Sequence, residues 1–265
     1  VTGPMDSNGN VTSVTDRTSN GVETSVTLNV ASLPGGGQFP TSAEVAFNGK
    51  TDGGMTIPGS GRMKVDGALA ERAMNGEDID ESSVRYAAEG DAFLQILDAG
   101  NGYATARYQG KSGTTGILGY VVAGQRTEAS SMPTGGSATF TGSAHGTSFG
   151  SSTGAQGMTG KTEIKAAFAP GGGTVSGKIT DVNVGGTNTG YEITMNPVGI
   201  SGSGYSGGTM SVSGASMSSS NYQGGFYNPE ANGTAGTFHF RASGVATGTG
   251  GTQDVEMVGA FGANR

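Results

Sequence analysis

The sequence contains no cysteine and no tryptophan, and only two of its 265 residues are histidine. Without cysteine, a disulfide framework, a thiolate metal site and a cysteine nucleophile are all excluded. Basic residues are also scarce: the sequence has 14 Lys and Arg and 21 Asp and Glu, which gives a net charge of −7. Nucleic acids and anionic membrane surfaces are bound by basic patches, so the composition argues against both as partners.

Long apolar runs are missing as well, and no stretch approaches the roughly 20 apolar residues of a membrane helix. Glycine is abundant instead, at 52 residues, whereas proline contributes only 8. The glycines follow no Gly-X-Y period, which excludes collagen. Between them, Thr, Ser and Val form short alternating runs, and this pattern is typical of strands joined by turns. The sequence therefore predicts an all-β protein.

Charge and glycine divide the chain unequally. Residues 1–130 hold 9 Lys and Arg, 15 Asp and Glu, and 21 Gly, whereas residues 131–265 hold 5, 6 and 31. The change falls near Pro133, which precedes a Gly-Gly pair and marks a natural joint. The predicted parts are a flexible N-terminal segment (1–21), a first domain that binds the ligand (22–130) and a second domain (131–265).

The second domain contains eight candidate strands separated by turns rich in Gly, Ser and Asn. An even number of up-and-down strands closes a sheet without leaving exposed edges. We therefore predict an eight-stranded antiparallel β-barrel. Its strands are predicted at 137–144, 161–168, 174–182, 191–196, 208–215, 221–227, 236–243 and 254–261.

The first domain is predicted to be a curled sheet with loops and one short helix. Residues 22–32 alternate cleanly, residues 93–108 indicate a hairpin with a glycine turn, and residues 116–124 indicate a more apolar strand. The stretch 66–76 has helix composition, with Asp at its start and Gly at its end. Loops on a β scaffold commonly carry binding surfaces.

Catalytic and metal-binding patterns are weak throughout. His145 and His239 lie in predicted strands and are expected on the surface, and no serine follows the strand-to-helix pattern of a nucleophile. The acidic run 77–81 lacks the glycine and final glutamate of a calcium loop. In the glycine-rich run 171–181, Gly177-Lys178 is followed by Ile179, where a phosphate loop has Ser or Thr, and no helix is predicted after it. We predict that the protein is not an enzyme and holds no metal site.

Two stretches near the C-terminus, "GGFYNPEANGTAGTFHF" (224–240) and "VGAFGANR" (258–265), resemble the barrel of the transferrin-binding-protein-B-like and haemophilin-like surface proteins of Gram-negative bacteria. Two positions depart from the family pattern: Asn228 replaces a usual Gly, and Gly233 stands where an acidic residue is common. The resemblance covers about 115–265, is weak over 22–114 and is absent at the N-terminal end. The matching residues are Phe226, Tyr227, Pro229, Ala231, Gly236, Phe238, Gly259, Phe261, Gly262 and Ala263.

The resemblance implies a barrel beside a more variable handle domain, here the first domain. It also implies a lipid-anchored surface protein or a secreted one, delivered by an outer-membrane translocon and serving a TonB-dependent receptor. Members of the family capture host iron proteins, haem or complement regulators. These implications concern architecture more directly than ligand, because folds host many functions.

Three classes of binding partner remain open: haem, a host protein, or the contacts of an adhesive surface module. Haem is the leading hypothesis, and it would need Tyr or Met as axial ligand because the first domain has no histidine. Core packing is the ordinary alternative role for these side chains. Contacts are expected chiefly in the 55–92 loop–helix segment and the 98–103 hairpin tip. The candidate ligand-binding residues are Met55, Met63, Met74, Tyr86, Tyr103 and Tyr108.

Overall fold

The computed structural model describes the chain as two compact units, residues 1–99 with 106–123 and residues 100–105 with 124–265. Within the described residues, every regular element is a strand except one 3₁₀ turn at Ala129–Ser131. The all-β prediction is therefore confirmed. The described residues are 2–5, 11–14, 22–32, 38–50, 56–64, 92–112 and 115–265.

The first unit contains a three-stranded sheet of order β2-β3-β4 and a four-stranded sheet of order β1-β7-β6-β5. The tip of the β5–β6 hairpin, residues 100–105, belongs to the second unit. The strands are β1 (Thr2–Pro4), β2 (Val22–Ser32), β3 (Gln38–Lys50), β4 (Thr56–Lys64), β5 (Ala92–Gly100), β6 (Tyr103–Ser112) and β7 (Thr115–Gly124).

The second unit is a closed barrel. Its antiparallel pairings run β8-β9-β10-β12-β13-β15-β16-β17 and return to β8, with β14 continuing β13 and pairing with β12. The barrel prediction is confirmed, and seven of the eight predicted runs fall within or largely within one strand; the predicted strand 208–215 instead covers the end of β13, the short β14 and the turn that follows. The strands are β8 (Ser137–Gly150), β9 (Gly154–Ala169), β10 (Gly172–Val184), β11 (Thr187–Asn188), β12 (Ile193–Ser201), β13 (Gly204–Gly208), β14 (Met210–Val212), β15 (Ser216–Tyr227), β16 (Gly233–Ala246) and β17 (Thr252–Asn264).

Aromatic side chains fill the barrel interior. The Phe226 ring lies 5.8 Å from Phe140, 5.4 Å from Phe168 and 5.8 Å from Tyr205, centroid to centroid, and it is fully buried. These tilted and edge-on arrangements are the ones that aromatic pairs prefer. Small neighbouring residues leave the space that the rings occupy, so a chain poor in large side chains still builds a packed core.

Two aromatic–glycine pairs join β16 to β17. Gly236 pairs with Phe261, and Phe238 pairs with Gly259. A Cβ atom on Gly236 would lie 2.5 Å from Phe261 Cζ, and one on Gly259 would lie 2.4 Å from Phe238 Cζ. Each ring therefore covers the backbone of the glycine opposite, and the two C-terminal motifs noted in the sequence meet across one strand pair.

Parts of the first unit differ from the prediction. The predicted 55–92 loop–helix segment contains a strand, β4, and β3 was not predicted at all. Pro58 and two glycines make β4 look like a turn in the sequence, yet β4 is last in its sheet order, where proline is tolerated. Residues 2–4, expected to be flexible, pair with β7. The predicted helix 66–76 and acidic loop 77–81 lie outside the described residues.

The predicted domain boundary lies at about residue 130, a few residues from the division between the two compact units. In the structure the division falls between Ala123 and Gly124, and the second unit also takes residues 100–105. The prediction rests on a composition change near the Pro-Thr-Gly-Gly stretch at 133–136, and composition does not report which residues pack together. The assignment of ligand binding to residues 22–130 stays a prediction.

Candidate functional site

The turn between β15 and β16, residues 227–233, is built around Asn228. Asn228 has a φ of +63°, in the left-handed region that asparagine tolerates better than most residues. Its side-chain Oδ1 accepts hydrogen bonds from the backbone N–H groups of Glu230, at 3.0 Å, and Asn232, at 3.1 Å. The asparagine therefore supplies two hydrogen bonds to the turn that glycine could not supply.

Tyr103, a predicted ligand-binding residue, packs against the barrel beside this turn. Its side chain is 4% exposed, and its ring centroid lies 5.8 Å from that of Tyr227. Two glycines form the surface beneath the ring, which we call the glycine shelf (Gly233 and Gly262). A Cβ atom on Gly262 would lie 2.4 Å from Tyr103 Cε2, and one on Gly233 would lie 3.1 Å from its Cδ1.

Backbone hydrogen bonds hold the hairpin tip that carries Tyr103. The N–H of Gln125 donates to Gly102 O at 2.8 Å, and the N–H of Asn228 donates to Gln125 O at 2.9 Å. The N–H of Asn101 donates to Asn264 Oδ1 at 2.9 Å. The tip is thus joined to the start of the barrel segment, to the 227–233 turn and to the end of the last strand.

Arg126 anchors the chain where it enters the barrel. Its Nη1 donates to the carbonyl oxygens of Ser203, at 3.1 Å, and Gly224, at 3.4 Å, and its guanidinium carbon lies 5.3 Å from the centroid of the Tyr227 ring. A Cβ atom on Gly225 would overlap this guanidinium. No local pattern predicts this contact, because its two partners lie 77 and 98 residues further along the chain.

A cavity of about 130 Å³, the barrel-mouth pocket, opens at the opposite end of the barrel. Its lining combines three valines and one alanine with polar side chains that carry no charge. Burial raises the pKa of Tyr191 to about 12, so its phenol stays protonated at neutral pH. No local pattern in the sequence predicts this pocket. It is lined by Ser148, Thr153, Gln156, Val184, Thr187, Thr189, Tyr191, Val245, Ala246, Thr247, Thr249, Gln253 and Val255.

His239 belongs to a charged cluster on the outward face of β16 and β17. Its Nε2 lies 3.1 Å from Glu256 Oε1, while Arg241 Nε lies 3.4 Å from Glu256 Oε2. The Glu256 side chain is only 8% exposed, whereas that of His239 is 32% exposed. His239 therefore lies on the surface of the barrel, as predicted, but it is half-buried and paired with Glu256. His145, on β8, is also partly buried.

Only some of the other predicted site residues lie among the described residues. Tyr108 is partly buried in the first unit, where a Cβ atom on Gly119 would lie 2.2 Å from its ring and its hydroxyl. Met63 lies in β4. The described residues therefore neither assemble nor exclude the predicted ligand-binding set, and its role stays a prediction. Met55, Met74 and Tyr86 lie outside the described residues.

Within the described residues, no group of three or more His, Cys, Asp or Glu side chains is placed to hold a metal ion. In the same part of the chain, none of the helices has the length and apolarity needed to cross a membrane.

Comparison with known proteins finds no matching family model and no matching curated protein. Among solved structures, this chain is similar to a double mutant of the vaccine antigen transferrin binding protein B from Haemophilus parasuis Hp5, at 14% identity and a TM-score of 0.41. That match covers 86% of this chain and 54% of the other.

Similarity extends to isotype 1 transferrin binding protein B from serogroup B Neisseria meningitidis, at 16% identity and a TM-score of 0.36, covering 88% of this chain and 53% of the other. It also extends to the intact Ap-TbpB with N and C lobes, at 15% identity and a TM-score of 0.38, covering 84% and 52%. The chain spans about half the length of these proteins. Likeness of this degree does not identify the family or the ligand of the chain.

Proposed function

We propose that the protein is an exported binding protein of a Gram-negative bacterium that captures a host iron-carrier protein, and that it has no catalytic activity. The observation that carries the proposal is where the family-like residues lie. Gly236 with Phe261 and Phe238 with Gly259 form direct cross-strand pairs, and Asn228 shapes the 227–233 turn. The sequence resemblance thus rests on residues that determine the barrel, in a chain that also carries a separate β unit able to present loops.

A protein partner is favoured over haem by the geometry of the described residues. Haem needs an apolar slot and an axial ligand, and pockets for ligands of that size measure about 300–1,000 Å³. The barrel-mouth pocket measures about 130 Å³ and has neither His nor Met in its lining. Its one tyrosine, Tyr191, has its pKa raised to about 12 by burial, which disfavours the phenolate that would bind iron. Haem therefore gains no support from this part of the chain.

Surface location and delivery belong to the same proposal. The chain would reach the cell surface through an outer-membrane translocon, stay lipid-anchored or be secreted, and pass its iron source to a TonB-dependent receptor. Digestion of intact cells with an added protease tests location, because a surface protein is cleaved without lysis whereas a cytosolic one is protected.

The binding test uses the full chain immobilised on a biosensor. Iron-loaded transferrin, iron-free transferrin and a complement regulator are titrated separately, and haemin is titrated in solution by its absorbance. Saturable binding of iron-loaded transferrin supports the proposal. Binding of the complement regulator alone would replace the iron carrier, haemin binding alone would restore the haem hypothesis, and no binding at all would favour an adhesive module.

A further inference from the structure

We propose that the barrel-mouth pocket binds an uncharged polyol of the size of one pyranose ring, that is, a single neutral monosaccharide unit. The pocket lies at the barrel end formed by the turns 150–154, 184–193 and 246–252. The proposal is independent of the function proposed above, because the test uses sugars alone and no host protein.

The size of the cavity sets the size of the ligand. An engineered protein cavity of about 150 Å³ holds benzene, a single six-membered ring. At about 130 Å³ and open to solvent on one side, the barrel-mouth pocket has room for a comparable ring. It is too small for a nucleotide or a porphyrin, which need the larger pockets typical of such ligands.

The rim of the pocket offers donors and acceptors together. Gln253 Oε1 accepts hydrogen bonds from Ser152 Oγ, at 2.8 Å, and from Thr153 Oγ1, at 3.2 Å, which fix the orientation of its amide. The amide nitrogen of Gln253 takes no part in these bonds. Gln156 lies across the strand pair, opposite Ser148. Amides and hydroxyls match sugar hydroxyls, which both donate and accept hydrogen bonds.

The absence of charge selects a neutral ligand. No Asp, Glu, Lys, Arg or His lines the pocket, and the raised pKa of Tyr191 keeps its phenol neutral. A charged ligand would lose hydration there without gaining a partner of opposite charge. The floor contains Val184, Val245 and Val255, which offer an apolar surface for the C–H face of a ring.

To test the proposal, the full chain is titrated with neutral methyl glycosides of glucose, galactose, mannose and N-acetylglucosamine. Binding is monitored by the NMR chemical shifts of the backbone amides. We expect at least one glycoside to shift the amides of the lining residues, with a dissociation constant in the millimolar range. The charged analogues glucuronic acid and glucosamine are expected to bind at least about tenfold more weakly, because a buried charge without a partner is costly. A glycan array then separates host glycan termini from bacterial polysaccharides as sources.

Variants locate the binding. Gln156→Ala and Thr249→Val each remove one polar group from the pocket and should weaken binding by about 3- to 10-fold, the effect of one lost hydrogen bond. Gln223→Ala, at an exposed position of β15 outside the pocket, is the matched control and should leave the affinity unchanged. If Gln156→Ala does not fold, the nearly isosteric Thr249→Val carries the test. Shifts confined to residues outside the pocket, equal binding of charged sugars, or no binding would overturn the proposal.

Discussion

The ring of Tyr103 lies directly over the α-carbon of Gly262, so that a Cβ atom there would come within 2.4 Å of the ring. The two residues are far apart in the sequence, and their contact joins the β5–β6 hairpin tip to the last strand of the barrel. Gly262, the second glycine of "GAFGAN", is therefore required by a packing partner that the local sequence does not reveal.

Gly262→Ala is expected to destabilise the protein. The added methyl group must displace a buried ring held between Gly262 and Tyr227, and overpacking of this kind costs about 1–3 kcal/mol in the free energy of unfolding. Urea denaturation of the full chain measures the change. Gly157→Ala is the control, because a Cβ atom there has no neighbour within 4 Å.

A double-mutant cycle identifies Tyr103 as the cause. In the background of Tyr103→Ala, the cost of Gly262→Ala should largely disappear, since the space that the methyl group needs is then empty. Additive effects of the two substitutions would mean that the glycine is required for another reason.

In the 227–233 turn, Asn228 is expected to stabilise the protein more than alanine would and about as much as glycine would. Asn228→Ala removes two hydrogen bonds to backbone N–H groups and leaves a Cβ residue at a φ of +63°, so we expect a loss of about 2 kcal/mol. Asn228→Gly also removes the bonds but relieves the left-handed backbone, and should stay within about 1 kcal/mol of the parent. Thermal unfolding of both variants gives the ranking, and equal losses would contradict it.

The barrel could be predicted from the sequence because its signals are local. Alternation over short runs and the 227–233 turn each report on neighbouring residues, and seven of the eight predicted runs correspond to one strand each. Contacts between distant segments were not predicted. Tyr103 is predicted to bind the ligand because it is an aromatic residue at the 98–103 hairpin tip, and that role stays a prediction. Its burial could not be predicted, because it depends on the glycine shelf, which is formed by two later strands. The barrel-mouth pocket was missed for the same reason, because its lining comes from several separate turns.

Stability is expected to fall at alkaline pH as buried tyrosines ionise. Burial raises the pKa of Tyr191 and of Tyr222 to about 12, and it also raises that of Tyr205 and Tyr227, from an ordinary value of 10.0. Below pH 10 the phenols are protonated in both states, and their contribution is fully present. Between pH 10 and 12 the unfolded chain releases protons that the folded chain retains, so the free energy of unfolding decreases as pH rises.

Two measurements check this prediction. Denaturant titrations at increasing pH should show the decrease beginning near pH 10, and the phenolate absorbance should report buried tyrosines that ionise only as the fold is lost. Tyr191→Phe keeps the ring and removes one titrating group, so the slope above pH 10 should shrink by the equivalent of one proton. A slope that Tyr191→Phe leaves unchanged would show that Tyr191 titrates normally.

His239→Ala is expected to cost about 1 kcal/mol of stability, because it removes a hydrogen-bonding partner from the nearly buried carboxylate of Glu256. Arg241 stays on the other carboxylate oxygen, so the loss should be smaller than that of an isolated buried charge. The combination with Glu256→Gln should be less destabilising than the sum of the two single changes, since the double variant no longer leaves a nearly buried carboxylate short of a hydrogen-bonding partner. Lys165→Ala, which breaks an exposed pair with Glu163 on the same barrel, is the control and should change stability by less than about 0.5 kcal/mol. If His239→Ala changes stability as little as Lys165→Ala does, the histidine is an ordinary surface residue and its contact with Glu256 contributes nothing measurable. If His239→Ala instead abolishes binding of the partner while the fold is retained, this cluster is part of the recognition surface.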